Sequence, residues 1–163
     1  AVDDAERALA LAYRPLAVLQ TRSGVSVYLA GTAAEVEAQS IALSGVVTPG
    51  LQWPQRPQGE VAIAMRVPPA LASEAVHRVS GEFVAAHGVG EVLVAGSFSE
   101  ETVSGWRSWA KSVSGAVVVT TAPTGFSLDP WGIPPATLAL QRRIKSAFDP
   151  LGVMVPGRLP GGV

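Results

Sequence analysis

The stretch that decides the fold is Val61-Ala62-Ile63-Ala64-Met65-Arg66-Val67, followed by the pair Pro68-Pro69. Its larger apolar side chains alternate with small or polar ones, which is the period of a β-strand with one buried face. Proline is tolerated in the first turn of a helix but not inside a strand, so the pair ends the strand and opens a helix. We therefore predict a strand over 61–67 and a helix that runs to about Ser80.

A hairpin is predicted directly after this helix. Strands over 82–87 and 91–95 flank Gly88-Val89-Gly90, whose glycines permit the positive φ angles of a tight turn. Ser97 and Glu100 then have the spacing of a capping box, which predicts the start of a second helix.

The second helix should end at Gly115 and pack one face on the sheet. Its apolar residues recur at helical spacing: Val103, Trp106, Ala110 and Val113. The β-branched run Ala116–Thr121 follows, and we predict it to be a central strand.

From residue 61 to residue 121 the predicted order is strand, helix, strand, strand, helix, strand. This is the split βαβ arrangement of ferredoxin-like domains. The fold class is therefore α+β, an antiparallel sheet with helices on one face, plus a C-terminal helix and tail. The other face of the sheet is left for another covering element.

The N-terminal part contains a partial version of the same plan. Thr32 and Glu35 have capping-box spacing, which predicts a helix over Ala33–Leu43. The other predicted elements are a short helix over 5–13, a strand pair over 16–21 and 25–30, a strand over 46–48, and a proline-rich loop over 49–60 that contains Trp53.

The composition argues against several classes of function. Twelve basic and 13 acidic residues give a net charge of -1, so we expect no nucleic-acid partner and no anionic membrane surface. There is no cysteine, which removes disulfides, thiolate metal sites and cysteine nucleophiles, and a cytoplasmic location is the expectation. No apolar run approaches the ~20 residues of a spanning helix, so no membrane insertion is predicted.

Residues 1–163 are expected to form one domain. The chain starts with Ala1 on a short helical segment that leads straight into strand sequence. We interpret it as the C-terminal part of a longer polypeptide.

Its residues contain no evident catalytic or metal-binding group. His77 and His87 are isolated, and neither has a carboxylate or second histidine at ligand spacing. Gly88-x-Gly90 lacks the third glycine and following helix of a dinucleotide fingerprint, so it is interpreted as a turn.

The C-terminal part begins with a loop over 122–135 and continues into an amphipathic helix. Leu140, Ile144, Phe148 and Leu151 form its apolar stripe, which predicts a helix docked on the core. Arg142, Arg143 and Lys145 lie near its C-terminal half, where cations favour the negative end of the helix dipole.

Three motifs in this part resemble those of a known family. They are Asp129-Pro130-Trp131-Gly132, then Phe148-Asp149-Pro150 after Arg142-Arg143, and Pro156-Gly157-Arg158. Their order resembles the C-terminal signature of FAD-linked oxidases of the vanillyl-alcohol oxidase type, most like the FAD-binding subunits of bacterial glycolate oxidases.

The resemblance implies a cap or substrate domain of an FAD-dependent enzyme that oxidises a 2-hydroxy acid such as glycolate. It implies Arg158 as the first candidate to face the flavin or the domain interface, with Arg142, Arg143 and Trp131 as further candidates. Its implied partners are an N-terminal FAD-binding domain and other oxidase subunits.

The glycine-rich phosphate loop of such a FAD-binding domain does not occur in this sequence. The isolated chain is therefore expected to retain no FAD and to be inactive.

Two positions depart from the family pattern. Ile63-Ala64 stands where a Trp-Arg pair is often found, and Val155 stands where Asn commonly precedes Pro-Gly-Arg. Catalysis by a partner subunit, with an assembly role for this chain, stays open. So does a different class of function, a ferredoxin-like binding or oligomerisation module without flavin chemistry.

Overall fold

The structure, a computed structural model, describes residues 2–132, 136 and 138–154. The described helices are α1 (Val2–Leu11), α2 (Ala33–Leu43), α3 (Ala72–Arg78), preceded by a 3₁₀ turn (Pro69–Leu71), α4 (Glu100–Ser112) and α5 (Leu138–Phe148). The strands are β1 (Ala17–Thr21), β2 (Gly24–Tyr28), β3 (Val61–Arg66), β4 (Glu82–His87), β5 (Glu91–Gly96) and β6 (Ala116–Thr121). None of these helices is both long enough and apolar enough to span a membrane.

One antiparallel sheet contains all six of these strands, in the order β2-β1-β4-β5-β3-β6. The last four positions are those of a split βαβ unit, which confirms the predicted α+β, ferredoxin-like class. The N-terminal hairpin does not form a second unit. Instead β1 pairs with β4, from Val18 opposite His87 to Thr21 opposite Val84, and extends the sheet at that edge.

The core lies between one face of this sheet and the two helices α3 and α4. The pleat of β3 sends Val61, Ile63 and Met65 into it, as their alternation predicted. The helices contribute mainly small and aromatic side chains: Ala75, Val76, Val103, Trp106 and Ala110. Helix α1 covers the same face of the sheet at β1, where Ala5 and Ala8 pack on Val18.

The start of α4 differs from the prediction. Ser99, not Ser97, is the N-cap, and its side chain accepts the Thr102 N–H. Ser97 instead donates its hydroxyl to Glu60, and Glu100 accepts from Ser127. The predicted box was wrong because both of its members make tertiary hydrogen bonds.

Two strand predictions also need correction. Strand β6 is at the edge of the sheet and is not central, although its β-branched residues suggested otherwise. Residues 46–48 form no strand, and Val46 is exposed.

The sheet face away from the helices is less completely covered than the face that packs on them. It presents Ala64, whose neighbours across the strands are Leu93 and Val118, and all three are half-buried. Tyr28 lies on this face, and its ring stacks on Trp53 with centroids 4.3 Å apart. Trp53 belongs to the predicted proline-rich loop, so this loop contributes to covering the face that the helices leave open.

The turn between β4 and β5 depends on glycine, as predicted. Gly88 and Gly90 have φ angles of +91° and +73°. A Cβ at Gly90 would lie 2.0 Å from the Val67 carbonyl oxygen, whereas a Cβ at Gly88 would meet only the Leu9 side chain at 3.5 Å.

We expect Gly90→Ala to destabilise the fold more than Gly88→Ala. Both variants should lose about 1–2 kcal/mol through the left-handed backbone. Only Gly90→Ala adds a clash with backbone, which must shift β3 away from β5. Urea unfolding of both variants measures the difference, and equal losses would show that the turn relaxes freely.

Candidate functional site

The segment that carries the predicted Trp131 is fixed to the β6 edge by Arg107 of α4. The Arg107 guanidinium donates to the carbonyl oxygens of Asp129 and Pro130, at 2.5 and 3.0 Å, and its Nε donates to Val117 at 3.3 Å. The Pro130 carbonyl also accepts the Val119 N–H at 2.8 Å. Burial lowers the pKa of Arg107, and the nearby Asp129 charge opposes this shift.

A second anchor holds the same segment farther upstream. Glu100 accepts hydrogen bonds from the Ser127 hydroxyl and backbone N–H, at 2.5 and 2.6 Å. Both hydrogen bonds lower the pKa of Glu100, and the one from the Ser127 hydroxyl has the larger effect. Phe126 and Leu128, on either side of Ser127 in the chain, pack on the core. The loop before the last helix is therefore built into the domain.

Trp131 lies in a turn that Asp129 organises. The Asp129 carboxylate accepts the Trp131 N–H at 2.8 Å, and the Asp129 carbonyl accepts the Gly132 N–H at 3.1 Å. Gly132 has a φ of +82°, which explains the glycine. The Trp131 side chain is 41% exposed, so the turn presents part of an indole ring at the surface.

Helix α5 is not docked on the core, which corrects the prediction. No described residue of α5 is buried, and Leu140, Ile144 and Phe148 are 52%, 49% and 82% exposed. Leu151, just beyond the helix, is also exposed. The pattern correctly predicted a helix with an apolar stripe, but periodicity cannot specify which surface covers that stripe.

The predicted cofactor residues are not brought together by the described contacts. Arg142 and Arg143 are exposed on α5 and form no ion pair with any described residue. Arg142 lies about 200° around the helix from Ile144, on the side away from the apolar stripe. No hydrogen bond or ring contact within 2–132 and 138–154 joins either arginine to Trp131. Arg158 lies outside the described residues.

The Phe148-Asp149-Pro150 motif has a structural role at the end of α5. The buried Asp149 carboxylate accepts the backbone N–H groups of Val153 and Met154, both at 2.9 Å, and pairs with Lys145 at 2.5 Å. The hydrogen bond from Lys145 is the main cause that lowers the pKa of Asp149, and the hydrogen bonds from the two backbone N–H groups lower it further. One carboxylate thus fixes the chain reversal after the helix.

A groove lies far along the sequence from these motifs. It has a volume of about 850 Å³ and is bounded by α1, β2, α2 and the segment 44–51. Most of the described residues that line it are apolar, and Arg7 is the only charged one among them. Trp131, Arg142 and Arg143 are not among its described lining residues.

A buried polar pair lies under α1. His87 Nε2 and Gln20 Oε1 are 2.8 Å apart between neighbouring strands, and both side chains are buried. Burial lowers the pKa of His87, while the charge of Glu6 on α1 acts in the opposite direction. The hydrogen bond assigns His87 a structural role.

Comparisons of the chain with family models, with curated proteins and with solved structures found no match. The assignment of a site therefore depends on the geometry and on the motif resemblance.

Sequence reasoning missed Arg107, although a signal for it exists. Arg107 lies one turn after Val103, at the border of the apolar stripe of α4, where a guanidinium needs acceptors from the packed side. The roles of Gln20 and Arg7 had no such signal, because their neighbours come from distant parts of the chain.

We expect the fold to lose stability as pH falls, because His87 is buried. Since burial lowers its pKa, the unfolded chain takes up the proton first as pH falls through the ordinary value of about 6.5. Stability is then lost until pH passes the folded pKa. Thermal unfolding between about pH 8 and pH 5 should show this loss. His87→Gln should remove it, whereas His77→Gln, at an exposed position of α3, should retain it.

We expect Asp149→Asn to loosen the turn after α5. The variant loses the charge paired with Lys145, so the amides of Val153 and Met154 should exchange at least severalfold faster, measured by NMR. Because the pKa of Asp149 is lowered, its contribution is present above the unfolded value of about 3.9 and is lost as pH falls through the folded pKa.

The matched control for this test is Asp129→Asn, which should affect the Trp131 amide and leave residues 153 and 154 unchanged. Unchanged exchange at Val153 and Met154 in Asp149→Asn would show that the carboxylate does not hold the turn.

Proposed function

We propose that the chain is the cap domain of an FAD-dependent oxidoreductase that acts on a 2-hydroxy acid such as glycolate. The observation that carries this proposal is the placement of α5. The helix that bears the family-like motifs lies outside the core, with an apolar stripe exposed among the described residues. A stripe of this kind is typical of a surface that another domain or subunit covers.

The sheet offers a second surface for the same purpose. Its helix-free face presents half-buried apolar side chains around Ala64 and Leu93, and an aromatic stack at Tyr28 and Trp53. A cap that lies over a flavin needs a broad, rigid surface, and a sheet backed by two helices supplies one.

In the whole enzyme, FAD would supply the acceptor for the hydride that leaves carbon 2 of the substrate while the hydroxyl group loses its proton. The chain's own residues would bind and orient. Arg158, with Arg142 and Arg143, would supply cations for a carboxylate or phosphate. Trp131 would supply an aromatic surface on a turn that α4 holds in place. Removal of the substrate proton is left to a partner.

The proposed partners are an N-terminal FAD-binding domain and further oxidase subunits, in the cytoplasm. FAD would be held mainly by that domain, so the isolated chain should be colourless and inactive.

The second candidate is a binding module without flavin chemistry. The observation that favours it is the groove beside β2, whose described lining includes none of Trp131, Arg142 and Arg143.

The decisive experiment determines whether the reading frame continues upstream into an FAD-binding half, and compares flavin content with and without that half. We expect the isolated chain to show no flavin absorbance. We expect the joined polypeptide to retain FAD and to reduce a dye acceptor with glycolate or another 2-hydroxy acid.

Two variants test the surfaces within the joined polypeptide. Ile144→Asp should weaken docking through the exposed stripe and lower FAD retention severalfold. Arg158→Ala should do the same if its guanidinium faces the cofactor, and Arg14→Ala, at an exposed position between α1 and β1, is the control. A reading frame with no FAD-binding half, or full retention in both variants, would favour the binding module.

A further inference from the structure

The two edges of the sheet are treated differently. At β6, the Val119 N–H donates to the Pro130 carbonyl, and the Val117 carbonyl accepts a hydrogen bond from Arg107. The segment 122–132 therefore covers this edge. At β2, no described residue outside β1 donates a backbone hydrogen bond to residues 24–27 or accepts one from them. In an antiparallel pair alternate residues direct their N–H and C=O groups away from the partner, so β2 presents such groups at a free edge.

The sequence of β2 lacks three of the usual protections for an edge. Gly24-Val25-Ser26-Val27-Tyr28 contains no charge and no proline, and its register with β1 runs without a bulge. Natural edge strands are normally blunted by one of these devices. Their absence from β2 indicates an edge that is kept available for pairing.

The groove of about 850 Å³ runs along this edge. Val25 and Val27 face the helices, whereas Ser26 and Tyr28 face the opposite side, yet all of them line the groove. Side chains from both faces of one strand can meet the same space only along its free edge. The other walls come from α1, α2 and the segment 44–51.

The shape and chemistry of the groove select its occupant. In a two-fold symmetric dimer a second copy would present the same concave edge, and two concave surfaces are not complementary. A lipid chain would leave the backbone groups of β2 unpaired, whereas an extended peptide would satisfy them. Arg7 is the only charged residue among the described residues of the lining, which favours an occupant that carries a carboxylate.

We infer that the β2 edge is a binding site for an extended peptide segment of a partner protein. The peptide adds a seventh strand to the sheet, with alternate apolar side chains beside Val25 and Val27. An acidic side chain or C-terminal carboxylate meets Arg7. This site is independent of the proposed flavoenzyme role.

The test uses acetylated hexapeptides that alternate Thr with Val, Ile, Leu or Phe and end in a free carboxylate. NMR titration of the purified chain measures affinity, and amide exchange at β2 measures pairing. We expect saturable binding by at least one peptide and slower exchange at alternate residues of β2.

Three changes separate this mode from its competitors. N-methylation of alternate peptide residues should abolish binding, because it removes the ladder donors. Amidation of the carboxylate and Arg7→Gln should each weaken binding about fivefold, and the two together no further, because both remove one exposed ion pair. Arg56→Gln, at a position outside the groove, should bind as the parent chain does.

Equal binding of the N-methylated peptide would overturn the inference and indicate an apolar pocket for small amphiphiles. Self-association that protects β2 from exchange would assign the edge to a second copy. The inference would also be overturned if none of the peptides bound saturably.

Discussion

The burial of one face of β3 is the constraint on which the rest of the structure depends. The strand pairs with β5 on one side and β6 on the other, and its pleat sends Val61, Ile63 and Met65 into the core. A shift of register by one residue would exchange this face for Ala62 and Ala64, so the pairing is fixed by the side chains. The helices α3 and α4 then have only one place to bury their apolar faces.

The core lies on one face of the sheet, so the surfaces proposed to bind partners lie on other parts of the domain. One sheet face is occupied by helices, and β6 is covered by a segment that Arg107 and Glu100 hold. The surfaces that remain are the helix-free face, the β2 edge and the apolar stripe of α5. These surfaces lie on different elements of the fold.

The C-terminal motifs have a structural role in the segments for which we propose an interface. Asp129 and Asp149 each fold back to accept backbone N–H groups a few residues ahead, which fixes the turns around Trp131 and after α5. The residues thus ordered include an exposed indole ring and an exposed apolar stripe. Order without burial is what a docking surface needs, since less conformational entropy is lost on binding.

The sequence by itself determined the features that depend on neighbours in the chain. The alternation of β3, the Thr32 cap with Glu35 and the glycine turn between β4 and β5 were all predictable, because strand pleat, helix caps and positive φ are local properties. Only the tertiary structure decided that β6 is an edge, that Ser97 and Glu100 leave the cap for distant partners, and that α5 stays off the core. These outcomes depend on which distant groups meet, and a periodic pattern gives the apolar face of an element without giving the surface that covers it.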